Sequence, residues 1–261
     1  MSDYQDITLE EKGTVCVLTL NRPENRNALT EQAKSELISA LDYIGENQAI
    51  RVLILTARGA AFCAGGDIKK IGQELAPDEI REMMLKSQQL LKKLVGLEKP
   101  VIAAVNGDAF GMGCNLALAA DFVIASEKAR FCEVFVKIGA IADFGALHFL
   151  PRLVGLWKSK ELVYLGKVIS ALEAERIGLV YRVVPPEELE KEALDLAKQL
   201  AEMPTKTIGR AKRILNRSFS LALDEVLAEE IEGQIYLSQT EDYREGMRAL
   251  LEKRKPQFQG K

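Results

Sequence analysis

The sequence predicts an α/β protein in which strand–strand–helix units repeat and a helical segment closes the chain. Apolar, strand-length runs at 52–55 and 101–105 are each followed by a glycine-rich turn and then by a helix-like pattern. Beyond Gly155 the pattern becomes helical almost throughout. We therefore expect a core of repeated ββα units over residues 1–195 and a C-terminal helical region over residues 196–261.

Composition limits the class of protein. The chain has 261 residues, 48% of them hydrophobic, which is enough for one sizeable buried core. Its formal net charge of -3 gives no electrostatic signature of a protein that binds nucleic acid or an anionic membrane. The first residues are polar and acidic, and no apolar run approaches the roughly 18 residues that span a bilayer. We therefore expect a cytoplasmic protein with no nucleic-acid and no membrane partner.

Cysteine and histidine usage argues against metal and disulfide chemistry. The four cysteines, Cys16, Cys63, Cys114 and Cys132, include no Cys-x-x-Cys pair and lie in apolar or glycine-rich surroundings. His148 is the only histidine, so a zinc site or a histidine-based triad does not fit. Any catalytic acid or base is then expected among carboxylates, lysines and tyrosines.

The first elements are a hairpin, a helix and a strand. Segments 7–10 and 15–20 flank Lys12-Gly13 and predict a β-hairpin. Thr30 is a suitable N-cap for a helix that ends near Gly45, because apolar residues follow at helical spacing. The apolar segment 51–56 then predicts a buried strand.

Two glycine turns follow. The first, 62–67, reads Phe-Cys-Ala-Gly-Gly-Asp and precedes a predicted short helix at 68–75. The second, 105–115, lies between the strand at 101–105 and a predicted helix of small residues at 116–120. A helix beginning after a tight turn presents uncovered N–H groups and a positive dipole end, so each turn suits a negatively charged oxygen. We expect the two turns to converge on one oxygen.

The remaining elements follow the same reasoning. A third glycine-punctuated turn spans 138–145 and leads into a helix. Strands are predicted at 121–125, 130–131 and 179–184, and helices at 78–97, 157–166, 171–178, 186–203, 205–216, 221–238 and 241–255.

Six ordered motifs resemble the enoyl-CoA hydratase/isomerase (crotonase) superfamily. They are Asn-Arg-Pro at 21–23, Asn-Ala-Leu at 27–29, Phe-Cys-Ala-Gly-Gly-Asp-Ile at 62–68, Ala-Val-Asn-Gly at 104–107, Gly-x-Gly at 111–113 and Leu-Pro-Arg-Leu-Val-Gly at 150–155. The resemblance implies a crotonase-like (ClpP/crotonase) spiral of ββα units and an acyl-CoA thioester substrate. It also implies no cofactor beyond the CoA moiety, and homotrimers that often pair into hexamers. The C-terminal region would then serve oligomerisation and cover the active site.

In that family two backbone N–H groups hold the thioester oxygen, and the match places them on Gly66 and Met112. Removing a proton beside a thioester carbonyl puts negative charge on the oxygen, and two preorganised donors stabilise that enolate. The plainer interpretation is that both segments are merely tight turns.

The expected pair of catalytic glutamates is missing. The matching positions hold Asn115, which can orient water or substrate but cannot take a proton at neutral pH, and Phe135, which can do neither. Asp143 lies where a subset of the family carries an acid/base aspartate, and one carboxylate suits double-bond isomerisation. Nearby phenylalanines would raise its pKa by desolvation. Alternatively, Asp143 caps the following helix.

The resemblance also places coenzyme A. It points to Asn25, Arg26 and Ala28 in one loop and to Ala64, Asp67 and Ile68 in the first turn, mostly through backbone groups; Asp67 would also cap the next helix. Basic residues Lys206, Arg210, Arg213 and Arg217 share one helix face and could approach the phosphates, but a solvated face is the preferred explanation. Phe258 and Lys261 resemble residues that reach a neighbouring subunit's ligand in relatives.

Three functions remain open at this point. The first is isomerisation of an enoyl-CoA through Asp143. The second is 2-enoyl-CoA hydration, with Asp143 and a water held by Asn115 replacing the two glutamates. The third is an acyl-CoA-binding or RNA-binding protein without turnover, which the missing glutamates favour and the intact glycine turns oppose.

Overall fold

The computed structural model describes residues 4–67 and 74–261. Its strands are β1 Ile7–Lys12, β2 Val15–Leu20, β3 Val52–Ala57, β4 Ala61–Cys63, β5 Val101–Val105, β6 Asp108–Phe110, β7 Phe122–Ser126, β8 Arg130–Cys132, β9 Ile169–Ser170 and β10 Arg182–Val184. Its α-helices are α1 Glu31–Glu46, α2 Pro77–Gly96, α3 Met112–Leu118, α4 Ala146–Leu165, α5 Ala171–Arg176, α6 Leu189–Ala201, α7 Thr205–Leu215, α8 Leu223–Ser238 and α9 Glu241–Glu252. Short 3-10 turns occupy Pro23–Asn25, Val134–Ile138, Pro186–Glu188 and Ser218–Ser220.

Successive strands alternate between two sheets. One sheet has the order β1-β2-β3-β5-β7-β10 and the other has the order β4-β6-β8-β9. The chain therefore passes from β3 to β4, from β5 to β6 and from β7 to β8, each time crossing between the sheets before a helix. The predicted α/β class and the repeated ββα arrangement are confirmed.

The central strands β3 and β5 of the larger sheet are buried on both faces. The strands of this sheet are parallel except for the antiparallel β1–β2 hairpin, in which Ile7 pairs with Leu20. Leu53 and Leu55 of β3 point into the main core with α1 and α2, while Val52 and Ile54 point to the other face, against α6. Continuous burial of this kind is typical of parallel sheets and explains the unbroken apolar runs in the sequence.

Several predicted boundaries are wrong. Helix α3 begins at Met112, four residues before the predicted 116, because Gly111 with φ 52° serves as its N-cap. Helix α4 begins at Ala146, directly after the third glycine turn as predicted, and it runs without a break in assignment past a non-helical Gly155 into the segment predicted as a separate helix at 157–166. The three-residue strands β4 and β6 and the two-residue strand β9 were not predicted. The predicted helix at 68–75 lies mostly outside the described residues.

The C-terminal segment is tied to the core by Arg51, which precedes β3. Its guanidinium donates to Thr205 Oγ1 at 2.9 Å, Met203 O at 2.6 Å and Phe258 O at 2.9 Å. Helix α6 continues across position 195, and the division into 1–195 and 196–261 stays a prediction. Over the described ranges, every helix is too short or too polar to cross a bilayer.

Candidate active site

The first glycine turn leaves β4 and is fixed to the loop that precedes α1. Gly65 has φ 106°, a backbone conformation that favours glycine. Leu29 N donates to Gly65 O at 2.8 Å, and Leu29 forms a parallel bridge with Gly66. The backbone of Gly66 is therefore held beside the start of α1.

The second turn packs directly against the first. Met112 is the first residue of α3, so its N–H has no partner within the helix. A methyl group built on Gly65 would lie 3.7 Å from Met112 N, and one built on Gly113 would lie 2.2 Å from Cys63 O. Only glycine at 113 permits this close approach of α3 to β4, which brings the two turns together as predicted.

Gly66, Met112 and Asp143 line one pocket of about 60 Å³. Within 4–67 and 74–261, neither Gly66 N nor Met112 N donates a backbone hydrogen bond outside regular elements. Among the described residues the lining is Leu29, Thr30, Glu31, Lys34, Gly66, Asp67, Met83, Met84, Ser87, Met112 and Asp143. The structure thus brings three of the four predicted catalytic residues to one cavity, and their roles stay predictions.

The Asp143 carboxylate is half-buried, and its Oδ1 atom is enclosed without a hydrogen-bond partner among the described residues. Burial raises the pKa of Asp143 to about 6, and the Lys34 ammonium acts in the opposite direction. The interpretation of Asp143 as a side-chain N-cap is wrong: Gly145 is the N-cap of α4, with no side-chain cap, and Asp143 accepts from Ala146 N only through its main-chain oxygen, at 3.0 Å. Its side chain is therefore free for another role.

Asn115 lies behind the pocket and does not line it. Its side chain is fully buried on α3, and its Nδ2 donates to Asp143 O at 3.0 Å and to Glu133 Oε2 at 3.4 Å. These contacts use the amide to hold the Asp143 backbone. The expectation that Asn115 orients a water or substrate stays a prediction, and its observed contacts favour a positioning role.

Glu133 is a buried carboxyl that the sequence analysis missed. It is 2% exposed and follows β8. Burial raises its pKa to about 7; hydrogen bonds from Cys114 and Asn115 lower it, and the nearby Asp143 raises it further. The available signal was an acidic residue within the otherwise apolar run Phe131, Cys132, Val134 and Phe135. A single acidic residue within such an apolar run indicates a buried titratable group.

The thiols and Phe135 provide no proton-transfer group. Phe135 is buried, and its ring lies 3.5 Å from where a Cβ on Gly111 would be. Burial raises the pKa of Cys63 to about 12 and raises that of Cys114 well above its ordinary value. Both thiols are therefore protonated at neutral pH and are poor nucleophiles.

The loop predicted to bind coenzyme A adjoins the first turn. Asn25 and Arg26 are exposed, and Ala28 is half-buried. Ala64 N donates to Arg26 O at 3.0 Å, which joins the loop to the turn. Asp67 lines the pocket described above, and Ile68 lies outside the described residues. The arrangement groups five of the predicted residues, and CoA binding by them stays a prediction.

Most of the predicted basic face is paired with acids. Arg213 and Arg217 contact Glu229 of α8 at 2.9 and 2.6 Å, and Arg210 lies 3.6 Å from Glu98. Lys206 lies 6.0 Å from the centre of the Tyr236 ring. This surface therefore presents less positive charge than its sequence suggests.

The C-terminal tail folds back on its own chain. Phe258 O accepts from Arg51, Gly260 N donates to Asp242 Oδ2 at 2.8 Å, and Asp242 N donates to Lys261 O at 3.1 Å. The predicted reach of Phe258 and Lys261 toward a neighbouring subunit stays a prediction. His148 is exposed and stacks edge-on against Phe149, away from the residues that line the pocket.

The sequence and the structure of this chain are similar to those of known proteins. Residues 10–261 match a family model described as enoyl-CoA hydratase/isomerase. The chain is 40% identical over 254 residues to a 1,2-epoxyphenylacetyl-CoA isomerase from Escherichia coli K12, covering 96% of this chain and 97% of that protein. It is 39% identical over 256 residues to a crotonyl-CoA hydratase from Syntrophomonas wolfei, covering 98% of each. A crystal structure of an enoyl-CoA hydratase from Bacillus anthracis superposes with a TM-score of 0.93 at 35% identity, covering 98% of this chain and all of that one.

Proposed function

Because the chain belongs to the enoyl-CoA hydratase/isomerase family, we propose that it moves the double bond of an enoyl-CoA by a 1,3-proton shift through Asp143. One observation supports this proposal above the others. The Asp143 carboxyl shares a pocket with the backbone of Gly66 and Met112, while the family's two glutamate positions hold Asn115 and Phe135.

The proposed reaction begins with a 3-enoyl-CoA thioester. The Asp143 carboxylate removes a proton from C2, the electron pair of that C–H bond forms a C1=C2 double bond, and the π pair of the carbonyl moves onto the thioester oxygen to give a dienolate. The N–H groups of Gly66 and Met112 hold this oxygen, a contribution of several kcal/mol in comparable sites. Protonated Asp143 then returns the proton to C4, which leaves a 2-enoyl-CoA and regenerates the carboxylate. The chemistry needs no cofactor beyond the CoA moiety of the substrate.

The surroundings of Asp143 suit a base that must also hold a proton. A pKa of about 6 leaves the group mostly ionised at neutral pH yet basic enough to accept a proton in the transition state. Asn115 fixes the Asp143 main chain, so the carboxylate keeps one position relative to the two N–H groups. In this proposal Asn115 is a positioning residue.

Coenzyme A is proposed to lie along the joined loop and turn. Backbone groups of Asn25, Arg26 and Ala28 would hold the adenine end, and Ala64, Asp67 and Ile68 would hold the pantetheine. The connection from Ala64 to Arg26 supports this placement, since it puts the loop next to the proposed oxyanion donors.

Hydration of a 2-enoyl-CoA is the second candidate. It is favoured by the name of the crotonyl-CoA hydratase relative, which is nearly as similar as the isomerase. The contacts of Asn115 Nδ2 with Asp143 and Glu133 weigh against it, because they use the N–H donors of the amide on the protein side; the Oδ1 atom has no partner among the described residues.

The test uses 3-enoyl-CoA and 2-enoyl-CoA in parallel with the wild type and Asp143→Asn. We expect the wild type to isomerise the first and the variant to lose roughly 10²- to 10⁴-fold in kcat, the usual contribution of a general acid–base group. The wild-type kcat/KM is expected to rise with pH through about 6, as Asp143 ionises.

Asp224→Asn, an exposed change on α8, is the matched control and is expected to keep full activity. Wild-type hydration of 2-enoyl-CoA that survives Asp143→Asn would exclude Asp143 as the acid/base. Tight acyl-CoA binding without turnover of either substrate would favour the non-catalytic alternative.

A further inference from the structure

Lys34 is a buried lysine whose role the proposed reaction leaves unexplained. It lies in the first turn of α1, is 3% exposed, and lines the same pocket as Gly66, Met112 and Asp143. Lysine is rarely buried to this degree, because removing an ammonium from water is costly unless its donors are satisfied. The position of Lys34 in the pocket therefore indicates a role for its ammonium group there.

The ammonium has three N–H donors, and the described chain accounts for two. Its Nζ lies 3.2 Å from Ser87 Oγ and 2.5 Å from Glu31 Oε1. Ser87 Oγ itself donates to Met83 O at 3.0 Å, so the hydroxyl acts as an acceptor toward Lys34. No third acceptor for Lys34 is found within 4–67 and 74–261. One donor is left for a molecule that enters the pocket.

Lys34 and Asp143 influence each other without touching. The ammonium lowers the pKa of Asp143, yet the two groups are not among the ion pairs within 4.0 Å in the described part of the chain. The proposed base and a fixed hydrogen-bond donor therefore line the same pocket as separate groups.

Building on the proposed isomerisation, we propose that the acyl group of the substrate carries an uncharged oxygen, as a hydroxyl, carbonyl or ether, that accepts a hydrogen bond from Lys34 Nζ. Lys34 is then a specificity-determining residue, and Ser87 and Glu31 hold it in place. A plain hydrocarbon chain would leave the third donor buried and unpaired, which penalises such substrates.

The charges of the pocket favour an uncharged oxygen over a carboxylate. Asp143 lines the same cavity as Lys34, and so does Glu31, which already pairs with both Lys34 and Lys86. A carboxylate on the acyl group would add a further negative charge to this set, with the repulsion strengthened by burial.

The test measures kcat/KM for short 3-enoyl-CoA thioesters of equal length, each with a hydroxyl, a methyl or a carboxylate at a matched position beyond the double bond. We expect the best hydroxylated substrate to exceed its methyl counterpart by roughly tenfold to hundredfold, as for hydrogen bonds to charged groups. Lys34→Met is expected to remove this preference. The ratio between substrates cancels any effect of Lys34 on Asp143 itself.

Lys86→Met is the matched control, because Lys86 also pairs with Glu31, at 3.4 Å, but does not line the pocket. It is expected to keep the preference. Ser87→Ala provides a second variant in case Lys34→Met does not fold, and it is expected to reduce the ratio. A wild-type ratio near one at every hydroxyl position, a preference for the carboxylate, or a preference that persists in Lys34→Met would each overturn the inference.

Equilibrium binding of saturated hydroxyacyl-CoA and acyl-CoA separates this inference from the proposed reaction. If no substrate is turned over but binding shows the hydroxyl preference and Lys34→Met abolishes it, the isomerase proposal fails and the inference about Lys34 stands. If the hydroxylated substrate and its methyl counterpart are isomerised equally well, the isomerase proposal stands and the inference about Lys34 fails.

Discussion

Asp143 lines the pocket, Glu133 is buried nearby without lining it, and Asn115 contacts both residues. Asn115 donates to the Asp143 main chain and to the Glu133 side chain, and burial raises the pKa of both carboxyl groups. Because each negative charge disfavours the other, the pair holds a proton more readily than either group would alone in water. Protonation of Glu133 therefore helps Asp143 to stay ionised.

The raised pKa of Glu133 predicts a pH-dependent stability. Its value is about 7 in the folded protein against an ordinary 4.5, so the folded state binds the proton more tightly. Between these values the unfolded chain ionises first, and the free energy of unfolding falls as pH rises from about 4.5 to 7 and levels off above. The total change is on the order of a few kcal/mol. Glu133→Gln is expected to flatten this slope in urea denaturation at a series of pH values.

Asp143 contributes a residual slope of the same sign, since its pKa is also raised. Glu187→Gln, which changes an exposed carboxyl, serves as the control and is expected to keep the wild-type slope. If Glu133→Gln shows the wild-type dependence, Glu133 does not hold its proton in the folded state.

Site residues that belong to a sequence motif were predicted. Site residues that reach the site only through the packing of the folded chain were missed. Gly66, Met112 and Asp143 sit in ordered motifs and do share a cavity. Glu133 and Lys34 belong to no quoted motif. For Glu133 the apolar run around it was a local signal that was missed, whereas the burial of Lys34 depends on how α1 packs, which local patterns of polarity do not reveal.

At the scale of elements, the pocket depends on the contact between α3 and β4. The first residues of α3 rest on the end of β4, and this contact sets the spacing of Gly66 and Met112. Strands β4 and β6 have three residues each, too few to show a period-two pattern, so the sequence did not reveal the second sheet that carries both turns. The long apolar strands β3 and β5 were predicted because burial on both faces leaves a clear signal.

Gly113→Ala tests this contact. The new methyl group would lie 2.2 Å from Cys63 O, and a backbone oxygen cannot move aside by changing a rotamer. We expect a loss of about 1–3 kcal/mol or more in the free energy of unfolding, as for overpacked cores. Activity is expected to fall more than tenfold, since the two turns must separate. Urea denaturation and initial rates measure both effects.

Gly233→Ala is the matched control for a glycine within a helix. No atom of the described residues lies within 4 Å of its added Cβ, so the usual helix propensity should apply and stabilise the protein by about 0.5–1 kcal/mol. Equal stability changes in the two variants would mean that the close approach of α3 to β4 does not limit the fold.

At the scale of the whole molecule, one face of α8 is apolar and exposed. Leu223, Leu227, Ile231 and Ile235 recur every four residues and are 72%, 45%, 60% and 51% exposed. The opposite face of this helix pairs with α7 through Glu229. An apolar stripe of this length on a folded chain typically marks an interface between proteins. It supports the prediction that the C-terminal region serves oligomerisation.

We therefore expect homotrimers or hexamers, with a mass in solution of three or six times 28.9 kDa. The double variant Leu227→Glu/Ile231→Glu places two charges on the stripe, where burial against another copy would be costly, and is expected to shift the population toward monomer. Lys198→Glu/Gln199→Glu adds at least as much negative charge on an exposed part of α6 and should keep the wild-type mass. Sedimentation velocity measures all three proteins. A monomeric wild type would contradict the predicted assembly. An unchanged mass for the α8 variant would show that the interface lies elsewhere, because a packed apolar contact would not tolerate two buried glutamates.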